Sequence, residues 1–382
     1  MQIIDELQTE MKALSLSASH RGYFYSINDA LIMLICGLLC GLREIDEIHQ
    51  WIMSEPTQKM LHKEFWINRY PSRSQFYNLL KLVDPEKFKH SFIRWIQSVF
   101  GQPTANKVVS IDGKTIRGTD KLTKDGTILN VVSAYVSELK LVIGSHECTD
   151  KPGERQAFRE LLELIDVKDA IVVADALHCT QKTANAVTEA GADYLFTVKN
   201  NVPSLKSQIE NHIQSAIQSE KIQSSATEER NGGRIEKRTA YAETNIDWLR
   251  GKEKWAKIAT IGAIHREFEK GGKISSEWHY YISSATLDST QLLNNVRLEW
   301  GVESMHWLLD VHYAEDKTRV WDMNVQRLLN TARKIALNLL HVYKSADNKH
   351  KTPLSRIMRN NLFDLRNFAS FMGVLRRLDK LD

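Results

Sequence analysis

The sequence predicts a mixed α/β protein with helical segments before and after its sheet. Three observations lead there. A β-branched run, Val108-Val109-Ser110-Ile111, ends on Asp112, and a continuous apolar run from Ala170 to Ala174 ends on Asp175. Such runs read as strands, the second of the kind buried on both faces of a sheet. The third is that residues 1–100 and 321–382 are patterned at helical spacing and nowhere alternate like strands.

At 382 residues, 42% hydrophobic and 26% charged, the composition excludes a disordered chain and is long enough for two or three domains. The longest apolar run, Ala30 to Leu42, is too short for a bilayer, which needs about 20 residues. No signal-peptide arrangement precedes it, so a cytoplasmic protein is expected. Cys36, Cys40, Cys148 and Cys179 contain no CxxC pair and read as free core thiols, not zinc ligands. The net charge of +4 is uneven: from Lys317 onward 14 Lys and Arg face 5 Asp and no Glu, net +9, leaving −5 on residues 1–316. A basic segment suggests a polyanion partner, nucleic acid above all, although solvated surface charge has the same composition.

Taken in order, residues 1–100 form a helical domain: an amphipathic lead-in, the apolar Ile27 to Leu42, Glu44 to Met53, and Ser72 to Val83. Pro71 and Ser72 start the last of these, and Arg73, Ser74, Gln75 and Tyr77 lie on its first turns. A DNA-recognition helix presents such residues, with Arg73 the candidate contact, but 11 basic and 11 acidic residues through Phe100 leave no basic excess. A helical bundle that only packs on its neighbour fits as well.

Gly101-Gln102-Pro103-Thr104 marks a boundary. Strands then follow at Lys107 to Asp112, Thr127 to Val136 and Leu139 to Glu147. A helix opened by Pro152-Gly153 spans Glu154 to Ile165, and residues 170–175 form the second aspartate-bearing strand. Thr180 to Ala190 is a helix closed by Gly191, Asp193 to Lys199 a strand, and Ser204 to Gln218 a polar helix. The order βββαβαβα is that of an RNase H-like domain, expected over residues 101–218. Residues 219–278, punctuated by Gly232-Gly233, Gly251 and Gly271-Gly272, read as a mostly β insertion. Residues 279–320 return to the core through a strand at His279 to Ser284 and a helix from Gln291 to Tyr313, and 321–382 are basic helices from Gln326 to Tyr343 and Pro353 to Lys380.

On the Gln291 to Tyr313 helix, Leu293, Val296, Trp300, Glu303, Trp307 and Val311 share one stripe, while Leu298, Val302, Met305 and Leu309 lie opposite. A helix apolar on two faces is expected to be sandwiched, and Glu303, the only charge on its stripe, then needs a cation, a proton or a metal. A structural salt bridge would satisfy it equally. Asp112 and Asp175 likewise have an ordinary alternative as helix caps. Together the three carboxylates, with a basic tail and no Cys-His or Gly-x-Ser-x-Gly pattern, fit two-metal phosphoryl transfer, for which oxygen ligands select two Mg²⁺ or Mn²⁺ ions. His178, His306 and His312 form no H-E-x-x-H set and read as packing or DNA-proximal residues.

Four stretches carry a family resemblance: residues 110–118 (SIDGKTIRG), 175–182 (DALHCTQK), 192–200 (ADYLFTVKN) and 300–311 (WGVESMHWLLDV). In this order they resemble the DDE-type insertion-sequence transposases, most closely the H-repeat-associated (ISAs-type) branch. The resemblance implies Asp112, Asp175 and Glu303 as the catalytic and metal-binding triad, nicking of double-stranded DNA at element ends, and attack of the freed 3′-hydroxyl on target DNA. It further implies a homodimer on DNA, and phosphate contacts from Lys114, Arg117, Lys199 and Asn200. Related families place tyrosine and arginine before the glutamate and lysine after it. Those positions here are Val296, Glu299 and Asp310, and Arg297, Lys317 and Arg319 are the expected substitutes.

Other functions share these features. A degenerate copy would bind DNA ends without nicking, an RNase H-like nuclease would cut without joining, and a non-enzymatic helical and α/β interaction protein would bind neither metal nor DNA.

Overall fold

The computed structural model describes residues 3–17, 24–119, 128–148, 153–231, 234–270, 273–346 and 349–378. Thr127, Pro152, the two glycine pairs of the insertion and Lys380, all used above, lie outside them.

Among the described residues nine strands form one sheet: β1 (Val108–Ile116), β2 (Leu129–Val136), β3 (Leu141–Cys148), β4 (Ile171–Ala174), β5 (Asp193–Val198), β6 (Ser224–Asn231), β7 (Arg234–Glu243), β8 (Thr260–Lys270) and β9 (Lys273–Ser283). Their order is β3-β2-β1-β4-β5-β9-β8-β7-β6. β1, β4 and β5 are parallel, β2 is antiparallel to β1 and β3 to β2 in a meander, and β9 is antiparallel to β5. The fold is therefore mixed α/β around a large sheet. The strands of residues 219–278 do not stand apart, because β9 pairs with β5 at one end and along its whole length with β8.

Helices α1 (Ile3–Ser17), α2 (Ile27–Leu39), α3 (Ile45–Ile52), α4 (Glu55–Phe65), α5 (Arg73–Lys81) and α6 (Pro85–Phe100) precede the sheet. α4 and α6 have no counterpart among the helices that the sequence spacing predicts. Within the sheet region run α7 (Glu154–Leu164), α8 (Gln181–Glu189), α9 (Pro203–Gln218) and α10 (Ser289–Tyr313), followed by α11 (Met323–Ala346), α12 (Leu354–Phe363) and α13 (Leu365–Arg377). One apolar core joins α1–α6, α11–α13 and one face of the sheet.

The C-terminal helices are less of a basic surface than their composition suggests. α11 is buried nearly throughout, Arg333 and Lys334 included, and packs on α2, α6 and β3. Asn338 exchanges two hydrogen bonds with the backbone of Val142, at 2.9 and 2.8 Å, and so covers the edge of β3. Arg376 of α13 is ion-paired to Glu64 of α4. Among the described residues no helix is long and apolar enough to cross a membrane.

Candidate active site

β1 and β4 are neighbours, with Val109 opposite Val172 and Ser110 opposite Val173. Carried on by two residues, this register brings Asp112 level with Asp175. β1 does not end at Asp112, as the sequence suggested, but runs on to Ile116. Gly113 therefore makes no turn. Its role is close approach, since a Cβ there would lie 2.3 Å from the Glu154 carboxylate at the start of α7.

Asp175 opens a tight turn, in which its Oδ1 accepts from the Leu177 N–H at 2.8 Å and Thr180, not Asp175, caps α8. That turn is fastened from two sides. Asn201 donates to the carbonyls of Ala176 and Cys179 at 2.7 and 3.2 Å, and Arg155 donates to that of Leu177 at 2.9 Å. The third wall is α10, whose Leu298 carbonyl accepts from Ser137 at 2.6 Å and from Ser110, two residues before Asp112, at 3.1 Å.

These elements enclose a cleft of about 350 Å³ lined by Asp112, Asp175, Glu299 and Glu303, with Lys199, Arg238, Arg266 and Arg297 around them. The expected sandwiching of α10 is only half right. Val302, Met305 and Leu309 are buried, whereas Glu303 is exposed and its stripe-mates Trp300 and Trp307 are 49% and 61% exposed. The carboxylate under strain is Glu299, one turn earlier. Burial first, then the carboxylates of Asp175, Asp112 and Glu303, push it up to about 8, against the pull of Lys199. Burial likewise pushes Asp112 up to about 6, with Asp175, Glu154 and Glu303 adding repulsion and the Gly113 N–H opposing.

His306 Nδ1 lies 3.6 Å from Asp112 Oδ2, but burial lowers its pKa to about 3, so the imidazole is neutral and offers Asp112 no counter-charge. His178 is buried and stacked on Phe158, as a packing residue is, and the backbone carbonyl of His312 accepts from Arg43. Among the described residues no three His, Cys, Asp or Glu side chains converge as a ready-made metal site. The four acidic side chains that line the cleft nonetheless present carboxylate oxygens whose mutual repulsion a hard cation would relieve, so their chemistry fits Mg²⁺ or Mn²⁺.

The expected DNA contacts divide. Lys199 is exposed at the cleft, and Arg297 lines it while ion-paired to Glu229. Asn200 is exposed and accepts from Lys206. Arg117 is exposed, its N–H on Asp316. Lys114 departs from expectation, being only 13% exposed and held by Asp310 at 2.6 Å and Glu315 at 3.0 Å, so its ammonium is committed to carboxylates and not free for phosphates. Arg73, paired with Asp46, joins Lys317 and Arg319 at a separate cavity. Sequence reasoning missed Glu299 as a carboxylate of the cleft, although its spacing of four from Glu303 puts both on one face. It also missed Arg238 and Arg266, which face each other across β7 and β8 and share Glu236.

Residues 103–339 match the family model described as "Transposase DDE domain", and residues 18–96 the one described as "DDE_Tnp_1-associated". The chain is 28% identical over 382 residues to "H repeat-associated putative transposase YhhI" of Escherichia coli K12, covering 96% of this chain and 98% of that protein. It is 28% identical over 368 residues to "Putative transposase YncI" of Escherichia coli O157:H7, covering 94% and 93%. Among solved structures, that of the piggyBac transposase synaptic complex with hairpin DNA matches at 12% identity and TM-score 0.46, over 100% of this chain and 80% of the other, too distant to add to the family match. With a family model spanning most of the chain and relatives alike from end to end, the protein belongs to the DDE transposases of the H-repeat family.

Proposed function

We propose that this transposase cuts double-stranded DNA at the ends of an insertion sequence and joins the freed 3′-hydroxyl to target DNA, with Asp112, Asp175 and Glu303 as its catalytic carboxylates. One observation carries the reading: an aspartate on β1, one just past the end of the neighbouring parallel strand β4 and a glutamate on α10 line one cleft together with Lys199, Arg238, Arg266 and Arg297. The strand order 3-2-1-4-5, with β2 antiparallel, supports an RNase H-like core over residues 101–218 and 279–320. Residues 219–278 are then an insertion that extends the sheet, and residues 1–100 and 321–382 flank it as helical regions.

Asp112, Asp175 and Glu303 would hold two Mg²⁺ or Mn²⁺ ions, which would supply Lewis acidity for an in-line displacement. The chain's own residues do the rest. Ser110 and Ser137 fix α10 against the strands, Asn201 and Arg155 hold the Asp175 turn, and Lys199, exposed at the cleft, binds a phosphate oxygen and orients the backbone. The partners are the element ends and target DNA, bound by a homodimer in the cytoplasm.

The test is cleavage of duplexes built from the DNA that flanks the gene. Wild-type protein should nick them in Mg²⁺ or Mn²⁺ but not in EDTA. Asp112→Asn, Asp175→Asn and Glu303→Gln should each lose roughly a thousandfold or more in rate while keeping wild-type circular dichroism. Normal nicking by Glu303→Gln removes that residue from the set.

A further inference from the structure

Ten residues beyond Glu303, α10 ends against a second cavity of about 570 Å³. Its walls are the first turns of α3 and α5, the connector of residues 314–321, and Arg333 of α11. Its charges can be accounted for one by one. Arg73 is paired with Asp46, Arg43 donates to the carbonyls of Val311 and His312 at 3.0 Å each, and Glu47 caps α3 by accepting the N–H groups of Arg43 and Glu44. Lys317 and Arg319 remain exposed, Arg319 lying 3.9 Å from Glu44.

Two buried donors at this cavity lack acceptors among the described residues. Arg333 is 4% exposed and its Nε has no hydrogen-bond partner, and the hydroxyl of Tyr313, 1% exposed, has none either. Both residues line the cavity. A guanidinium N–H and a phenol buried without acceptors are costly, and with two exposed cations beside them they form a donor set that a phosphate oxygen satisfies.

The route to this cavity is also marked. Trp300, Glu303, Trp307 and Val311, at steps of three and four, are the exposed stripe of α10, and Trp321 in the connector is 68% exposed. At about 1.5 Å per residue the cavity lies about 15 Å along the helix from Glu303, the length of about four base pairs.

We infer that the cavity between α3, α5 and the 314–321 connector binds a backbone phosphate of the DNA duplex, about four base pairs from the bond cut in the catalytic cleft, with the duplex lying along the exposed stripe of α10. This rests on the DNA-cleaving reading above. Lys317, Arg319 and Arg333 supply the charge, and Tyr313 a neutral donor.

The experiment uses the full chain and a fluorescein-labelled 30-base-pair duplex carrying the element end, with Kd measured by polarisation from 50 to 200 mM NaCl. The exposed pair Lys317→Ala/Arg319→Ala avoids disturbing the core. It should bind at least tenfold more weakly at 100 mM salt, and its log–log salt slope should be shallower by about one to two. A neutral methylphosphonate three to five base pairs from the mapped nick should weaken wild type and leave the double variant unaffected.

An unchanged salt slope in the double variant overturns the inference even when wild type nicks normally. A wild type that binds through this pair but never nicks in Mg²⁺ overturns the cleavage reading and leaves the cavity a DNA site. Pyrophosphate that raises the wild-type melting midpoint, with no methylphosphonate-sensitive position, makes this a small-anion site and also overturns the inference.

Discussion

Lys114, two residues past Asp112 on β1, lies 2.6 Å from Asp310, two turns past Glu303 on α10. The same ammonium reaches Glu315 at 3.0 Å, and Glu315 accepts from Asn330 of α11 at 2.8 Å. One lysine thus ties the strand of the first aspartate to the helix of the glutamate, and both to the central helix. Its partner Glu315 is 1% exposed, so removing the lysine takes the paired ammonium from a buried carboxylate and leaves it the Asn330 amide. Lys114→Met should cost about 3 kcal/mol in urea unfolding. Asp310→Asn, which leaves the Glu315 pair intact, should cost less. Equal stability of Lys114→Met and wild type would mean that the network does not bind β1 to α10.

The raised carboxylates make stability of the metal-free protein depend on pH. For Glu299 the folded pKa of about 8 lies above the ordinary value of 4.5, and for Asp112 about 6 lies above 3.8. A carboxyl group with a raised folded pKa contributes stability that is full below its ordinary value and lost as pH rises through the folded one. Metal-free protein should therefore lose melting temperature from pH 4 to 6 through both groups and from 6 to 8 through Glu299 alone. Added Mg²⁺ should offset the loss at pH 8 by relieving the repulsion. Glu299→Gln should flatten the upper window, and a variant that keeps the full fall between pH 6 and 8 assigns it elsewhere.

Much of this cleft could be read from the chain because its signals are local. A β-branched run ending on Asp112 and an apolar run ending on Asp175 need only the residues beside them. What could not be read depends on pairing across long separations. Lys114 and Asp310 are 196 residues apart, and nothing near Lys114 says that its charge is spent. The exposure of Glu303 was hidden because both faces of α10 are apolar, and only its packing on β1 and β7 chooses the buried one. The joining of β9 to both β5 and β8 is likewise a matter of register.

Gly301, two residues before Glu303, allows α10 to lie against the β2–β3 turn. A Cβ there would fall 2.0 Å from Ser137 Oγ and 2.8 Å from Ser137 Cβ, and Ser137 is one of the two hydroxyls that hold the Leu298 carbonyl. Gly301→Ala gains helix propensity but pushes α10 away from that turn, and overpacking of this kind costs about 1–3 kcal/mol. It should also lower the nicking rate, because Glu303 moves with the helix. Gly301→Ala/Ser137→Gly should recover stability. If the single variant melts at or above wild type, the close approach is not a constraint.

Gly113 tests the other wall. Its missing Cβ leaves room for Glu154, whose Oε1, Cδ and Cγ would lie 2.3, 2.4 and 3.0 Å from that atom and whose carboxylate is 3.4 Å from His178 Nε2. The clash in Gly113→Ala is with a flexible side chain, so the backbone need not move and the stability cost should be modest, about 1 kcal/mol. The larger effect should be on the site, since Glu154 is one of the charges that raise Asp112 and would be displaced from beside it. In Gly113→Ala the Asp112 pKa should fall toward its ordinary value, which carboxyl carbon NMR of metal-free protein can follow. Glu154→Ala should lower it in the same direction, and Gly113→Ala/Glu154→Ala should go little further than either alone. Shifts that simply add would show that Gly113 acts on Asp112 by a route other than Glu154.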